Sequence, residues 1–143
     1  MSDEITLRHL GPDDLRLLLS IEDGLFDNAI DPDEARAFLN DTMNWLVLAF
    51  DGDHAIGMAS ATILRHPDKK PALFINEVGV RDSHQRRGIG KSVTQALIDK
   101  ARMSGVQGVW LGTEADNTAA RALYRSLGGD EVAGVYFGWD DAF

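Results

Sequence analysis

The stretch Val78-Gly79-Val80-Arg81-Asp82-Ser83-His84-Gln85-Arg86-Arg87-Gly88-Ile89-Gly90-Lys91 decides how this chain is read. An apolar run ends at Val80, a loop rich in arginine and glycine follows, and a helical pattern begins at the glycines. Ile89, Val93, Leu97 and Ala101 recur every four residues and Gly105 supplies a stop, so the segment reads as strand, loop and amphipathic helix. The first N–H groups of such a helix have no intrahelical partner, and the helix dipole places about half a positive charge beside them. Two glycines let a ligand approach the backbone, and Arg86, Arg87 and Lys91 add full charges. A phosphate or pyrophosphate site needs these features. The plain alternative is a glycine-capped helix next to exposed arginines.

Working outward, 143 residues predict one domain, residues 1–143, large enough for a real core. Hydrophobic residues at 44% and charged residues at 26% exclude a disordered chain. The absence of cysteine excludes disulfides, thiolate metal sites and a cysteine nucleophile. No apolar run approaches the ~20 residues of a membrane span, and Met1 to Arg8 lacks the profile of a signal peptide. A cytoplasmic protein with no membrane partner is expected. A net charge of -9 argues against nucleic acid as a partner. The charge is uneven: residues 1–60 carry 3 basic and 13 acidic side chains, whereas 61–110 carry 9 and 4. A basic middle between acidic flanks suits a protein that holds an anion centrally and meets a cation at its edges. His9, His54, His66 and His84 form no pair at ligand spacing, so no metal site is inferred.

The remaining pattern predicts a mixed sheet. Ile5 to Leu10 reads as a strand, and Gly11-Pro12-Asp13-Asp14 starts a helix whose face takes Leu15, Leu18, Leu19 and Leu25. Asp31-Pro32-Asp33-Glu34 starts a second helix through Leu39. Trp45 to Phe50 and Ile56 to Ile63 read as strands joined at Asp51-Gly52, a hairpin signal. Leu73 to Val80 and Val106 to Leu111 are further strands, Asn117 to Leu127 is a helix closed by Gly128-Gly129, and Val132 to Trp139 reads as a last strand. The fold class is therefore α/β or α+β.

Three phosphate-binding patterns compete at the central loop. The nucleotide-triphosphate loop matches at Gly90-Lys91-Ser92 but needs its first glycine at Gln85, and the dinucleotide fingerprint needs its third at Val93. The pattern Q/R-x-x-G-x-G/A fits throughout as Gln85-Arg86-Arg87-Gly88-Ile89-Gly90. It resembles the acyl-CoA pyrophosphate loop of the GNAT N-acetyltransferase superfamily. Asn117, Ala120, Leu123-Tyr124 and Gly128 resemble that family's second cofactor element.

The resemblance implies a mixed, mostly antiparallel central sheet, flanked by about four helices, in which strands 73–80 and 106–111 splay apart. Acetyl-CoA would lie in the opening, its pyrophosphate on Gln85, Arg86, Arg87, Gly88, Ile89, Gly90 and Lys91 and its pantetheine arm on backbone at Val78 and Val80. Asn117 and Ala120 would contribute from the second element, and Tyr124 would direct its hydroxyl at the sulfur. An amine attacks the thioester without a covalent enzyme intermediate, which agrees with a chain lacking cysteine and a G-x-S-x-G elbow. Tyrosine, with a pKa near 10, suits protonation of the leaving thiolate. Glu77 is a carboxylate inside an otherwise apolar strand, and burying such a charge needs a reason; in this superfamily an acid at that strand position takes the amine's proton. The alternative is an outward-facing edge carboxylate.

Leu25-Phe26-Asp27, Asp31-Pro32-Asp33, the stretch from Asn76 to Ile89 and the tail near Asp140 resemble the small type I aminoglycoside 3-N-acetyltransferases. The resemblance implies a polycationic acceptor drawn in by Asp27, Asp31, Asp33, Glu34, Asp140 and Asp141. Other acceptors within the class are a polyamine, an amino-acid-like metabolite or a protein lysine. A non-catalytic acyl-CoA-binding module and a nucleotide-binding P-loop protein are the readings from other classes. Pairing through a C-terminal strand is common in the superfamily and implies a homodimer.

Overall fold

The computed structural model describes residues 4–143, so the first three residues of the Met1–Arg8 stretch lie outside it. The chain forms two compact units, Met1–Gly112 and Thr113–Phe143. The first holds a sheet of five strands in sequence order: Ile5–His9 (β1), Asn44–Asp51 (β2), His54–Leu64 (β3), Ala72–Val80 (β4) and Gly108–Trp110 (β5). β1 to β4 pair antiparallel and β5 joins β4 in parallel. Helices Leu15–Leu19 (α1), Pro32–Asn40 (α2) and Ile89–Met103 (α3) belong to this unit, and Thr118–Ser126 (α4) to the second. The expected mixed, mostly antiparallel sheet with four α-helices is the architecture observed.

The apolar run in β2 is continuous because the strand is covered on both faces. Trp45, Val47 and Ala49 join a core with Val93 and Leu97 of α3, while Leu46 and Leu48 join Leu18 of α1 and Leu39 of α2. The four-residue repeat of α3 is its buried stripe: Ile89, Val93, Leu97 and Ala101 are all inaccessible, and Gly105 leaves the helix with φ +76°. β2 and β3 meet at the expected Gly52 turn, with Asp51 opposite His54.

β4 and β5 pair only as Ala72↔Gly108, Leu73↔Val109 and Phe74↔Trp110. β5 stops there while β4 runs on to Val80, so the two part as expected, although β5 is shorter than 106–111. Phe74 and Trp110 close the paired end, ring centroids 4.3 Å apart. Beyond Phe74 that edge of β4 has no strand beside it among the described residues of its own unit, so its backbone groups there have no strand ladder to join.

Two expectations are corrected. The first helix is short: a 3-10 turn at Pro12–Asp14 leads into α1, which ends at Leu19. Leu25 reaches the core from the following loop, and Leu19 is exposed. Val132 to Trp139 is not a strand. Its apolar side chains are exposed, Phe137 at 80% and Trp139 at 76%. Strand propensity needs a neighbouring ladder to act on, and among the described residues the second unit holds no other strand.

Candidate active site

A bulge in β4 sets the site. Ser60 pairs with Glu77 but its neighbour Ala61 pairs with Ile75, so Asn76 is an extra residue. Side chains alternate faces along a strand, and one inserted residue exchanges the faces beyond it. Leu73 and Ile75 before the bulge, and Val78 and Val80 after it, accordingly pack on the same α3-side core. Glu77 would have faced that core without the bulge; with it, the carboxylate turns to the opposite face. There it is exposed rather than buried in the strand, which corrects the burial argument of the sequence reading. Asn76 in turn donates from its amide to Thr62 Oγ1 at 2.9 Å.

Glu77 lines a cavity of about 320 Å³ with Asp27, Asp31, Glu34, Ser60 and an apolar wall that includes Leu18, Phe26, Phe38 and Leu46. Desolvation against that wall, and then the charge of Asp27, raise the Glu77 carboxyl above its ordinary range. A carboxylate raised in this way holds a proton more tightly than an ordinary glutamate does, as a general base requires. Asp33 does not line the cavity and pairs with Arg36 at 3.5 Å instead. Asp31 has a second task. Its Oδ1 accepts from the N–H groups of Asp33 (2.9 Å) and Glu34 (3.2 Å), capping α2. Replacing Asp31 with Ala should destabilise the fold by about 0.5–2 kcal/mol, read as a lowered midpoint in urea unfolding.

The loop after β4 has the shape expected of an anion site. Gly88 caps α3 with φ +76°, and Arg86 also adopts the left-handed region at +64°. The Ser92 N–H makes the first helical bond, to the Gly88 carbonyl at 3.0 Å, so the N–H groups of Ile89, Gly90 and Lys91 have no intrahelical acceptor. A Cβ on Gly88 would meet nothing within 4 Å, which leaves the approach to these donors open. Arg86, Arg87 and Lys91 are exposed around it. Gln85 is exposed and folds back along the loop, its amide donating to the Val80 carbonyl (3.4 Å) and Asp82 Oδ1 (3.1 Å). His84 Nε2 lies 2.9 Å from Asp51 Oδ2, fastening the loop to the β2–β3 hairpin. Donors, cations and an unobstructed backbone fit a pyrophosphate, and the edge of β4 at Val78 and Val80, where the Val80 carbonyl is met by the Gln85 side chain at 3.4 Å, fits an extended amide-bearing chain.

In the second unit Asn117 is the N-cap of α4, its Oδ1 accepting from the Ala120 N–H at 3.0 Å. Tyr124 is half-buried and burial raises its hydroxyl pKa, so it carries its proton at neutral pH. Asp140 and Asp141 have φ of +53° and +64°. Arg121 grips Glu131 at 2.8 and 3.0 Å and, with Arg125, holds that carboxyl at about 2. Sequence reasoning passed over this clamp and also Arg81, whose bonds run to residues 26 and 58 positions away. A cation directly after an apolar strand was the one available signal, and it names no partner.

The model of the acetyltransferase (GNAT) family matches residues 14–128. The ribosomal protein bS18-alanine N-acetyltransferase of Escherichia coli (strain K12) is 43% identical over 75 residues, covering 52% of this chain and 49% of that protein. The chain thus spans about half the length of the curated relatives it matches so. Among solved structures, an aminoglycoside acetyltransferase, meta-AAC0020, from an uncultured soil metagenomic sample, in complex with trehalose, superposes with a TM-score of 0.80. It is 20% identical, with 95% of this chain and 97% of that chain covered. The aminoglycoside N-acetyltransferase AAC(6')-Iy in complex with CoA gives 0.77 at 21% identity, covering 99% and 98%. At these identities the likeness is one of fold.

Proposed function

This chain belongs to the acetyltransferase (GNAT) family, and on that premise we propose that it transfers the acetyl group of acetyl-CoA to a primary amine of a cationic small molecule. The observation that carries the reading is the division of labour along β4: Glu77 stands on a carboxylate-lined cavity, and the same strand leads into the glycine and arginine loop at α3. We take residues 1–143 as one catalytic domain, since the family match at 14–128 takes in both compact units.

Bound acetyl-CoA supplies the thioester: a C–N bond forms to the amine, the C–S bond breaks and a thiolate leaves. Its pyrophosphate is assigned to the free N–H groups of Ile89, Gly90 and Lys91 with Gln85, Arg86, Arg87 and Gly88. Its pantetheine arm is assigned to backbone at Val78 and Val80, with Asn117 and Ala120 from α4. Glu77 accepts the amine's proton, directly or through water, and Tyr124 gives its hydroxyl proton to the thiolate. Asp27, Asp31 and Glu34 hold the acceptor's positive charge, and Asp33, Asp140 and Asp141 add to the field that draws it in.

The specific acceptor we assign is an aminoglycoside, for whose positive charge the acidic cavity is the support; acetylation at its 3-N position follows from the sequence resemblance alone. A peptide or protein amine is the second reading. The half-apolar cavity wall favours it, as does the relative named for alanine acetylation of a ribosomal protein. A thiol-release assay with acetyl-CoA and gentamicin, spermidine or lysine and alanine peptides separates them. Turnover with gentamicin is expected, and turnover confined to the other amines would overturn the aminoglycoside assignment. Uptake of coenzyme A without any thiol release would point to a binding module.

Neutralising cavity charge should act on acceptor binding. Asp27→Asn or Glu34→Gln should raise the acceptor KM by about 3- to 10-fold, with a larger effect at low ionic strength than in 0.5 M salt. We also read the protein as a cytoplasmic homodimer. No helix among the described residues is long and apolar enough to cross a membrane, and the exposed apolar side chains of 132–143 suit pairing between copies. A monomer mass by light scattering at micromolar concentration would count against the dimer.

A further inference from the structure

One side chain fastens the loop between α1 and α2 to the end of β4. Arg81 donates from Nε to the Ala55 carbonyl, and from Nη1 and Nη2 to the carbonyls of Asp23 and Glu22, each at 2.8 Å. Its own N–H donates to the Ile56 carbonyl at 2.9 Å. Gly24 turns beneath the guanidinium with φ +104°. Two residues before Arg81, Gly79 admits the Leu25 carbonyl so closely that a Cβ there would stand 3.2 Å from the oxygen. Residues 22–25 therefore rest on the end of β4, and the next residues, Phe26, Asp27 and Ile30, form one wall of the cavity. On the other side of Arg81 the chain enters the loop with two left-handed residues, Arg86 and Gly88. That loop and the open edge of β4 are the parts assigned to acetyl-CoA, and the inference rests on that assignment.

We propose that Arg81 is a positioning residue that couples the two substrate sites, so that acetyl-CoA bound at the end of β4 firms the acceptor wall at residues 22–31. A loop held by a few hydrogen bonds at the surface opens locally at small cost, and so does a loop in strained backbone conformations. A ligand that pins the second loop withdraws that freedom from whatever is fastened to it, and a second ligand then has less ordering to impose. Arg81 is the link because its donors reach across to Glu22 and Asp23 while its backbone belongs to the strand end. Acetyl-CoA should accordingly raise the affinity for the amine, and the amine that for acetyl-CoA by the same factor.

Hydrogen–deuterium exchange on the full chain with coenzyme A tests this without knowledge of the acceptor. In the wild type, coenzyme A should slow exchange at 85–91 and also, by about fivefold, at 22–31. In Arg81→Gln the slowing at 85–91 should persist and that at 22–31 should vanish; Arg81→Lys should recover part of it. Gly24→Ala, whose Cβ would stand 3.1 Å from Arg81 Nη1 and so push the guanidinium off the Asp23 and Glu22 carbonyls, should show the same loss and decides the matter if Arg81→Gln does not fold. Equal slowing at 22–31 in wild type and variants overturns the coupling, as does protection of 85–91 alone in the wild type. No protection anywhere in the wild type would remove the cofactor assignment itself, and the coupling with it.

Discussion

Glu77→Gln should slow acetyl transfer by about 10²- to 10⁴-fold in kcat, the usual cost of losing a general base. The side chain keeps its size, and it already stands exposed at the cavity rim, so folding should be retained. Removing one of two mutually repelling carboxylates should leave the thermal midpoint unchanged or slightly raised. Affinity for coenzyme A, measured by calorimetry, should be unaffected. Near-normal turnover in a folded Glu77→Gln protein would take this residue out of the mechanism.

The pH profile gives the same assignment a second handle. A base must be deprotonated to act, so kcat/KM should rise with pH as Glu77 loses its proton. Desolvation and the Asp27 charge raise this carboxyl, so the acidic limb should lie above the range of an ordinary exposed glutamate. Asp27→Asn removes only the smaller of the two causes. The limb should therefore move to lower pH in that variant without reaching the unperturbed position. A shift to higher pH would contradict the repulsion between the two groups.

Much of this was legible in the sequence because it rests on local rules. The four-residue stripe of α3, the Asp51-Gly52 hairpin, the Asp31 cap and the glycine entry to α3 each follow from a few adjacent residues. What the sequence hid was register and distance. Nothing in Ile75-Asn76-Glu77 states that Asn76 is an extra residue, yet that decides which face Glu77 takes. The three carbonyls held by Arg81 carry no side-chain signature at all. Val132 to Trp139 misled for the converse reason: its composition has strand propensity, but a strand exists only where a neighbour completes its ladder. The cavity gathers Leu18, Phe26, Phe38, Leu46 and Glu77 from five separate segments, so only its acidic members could be guessed.

Gly88→Val should weaken coenzyme A binding by about 10²-fold or more, through two effects that act at one atom. Gly88 holds φ +76°, a conformation that costs a β-branched residue roughly 1–3 kcal/mol, so the loop would relax toward another shape and swing the N–H groups of Ile89 and Gly90 off their common direction. The open space beside Gly88, where a Cβ meets no protein atom within 4 Å, is also the space a pyrophosphate would need. A valine could therefore be accommodated by the folded protein and still obstruct the ligand. The helix itself should survive, because its stability comes from Ile89, Val93, Leu97 and Ala101 in the core rather than from its N-cap. Unchanged far-ultraviolet circular dichroism with lost calorimetric uptake is the expected pair of results. Replacing Arg86 and Arg87 with Gln should instead weaken binding more modestly and flatten its salt dependence, since glutamine removes the charge and puts no branched side chain into the left-handed backbone at residue 86. If Gly88→Val bound coenzyme A as tightly as the wild type, the backbone amides at the start of α3 could not be the pyrophosphate site.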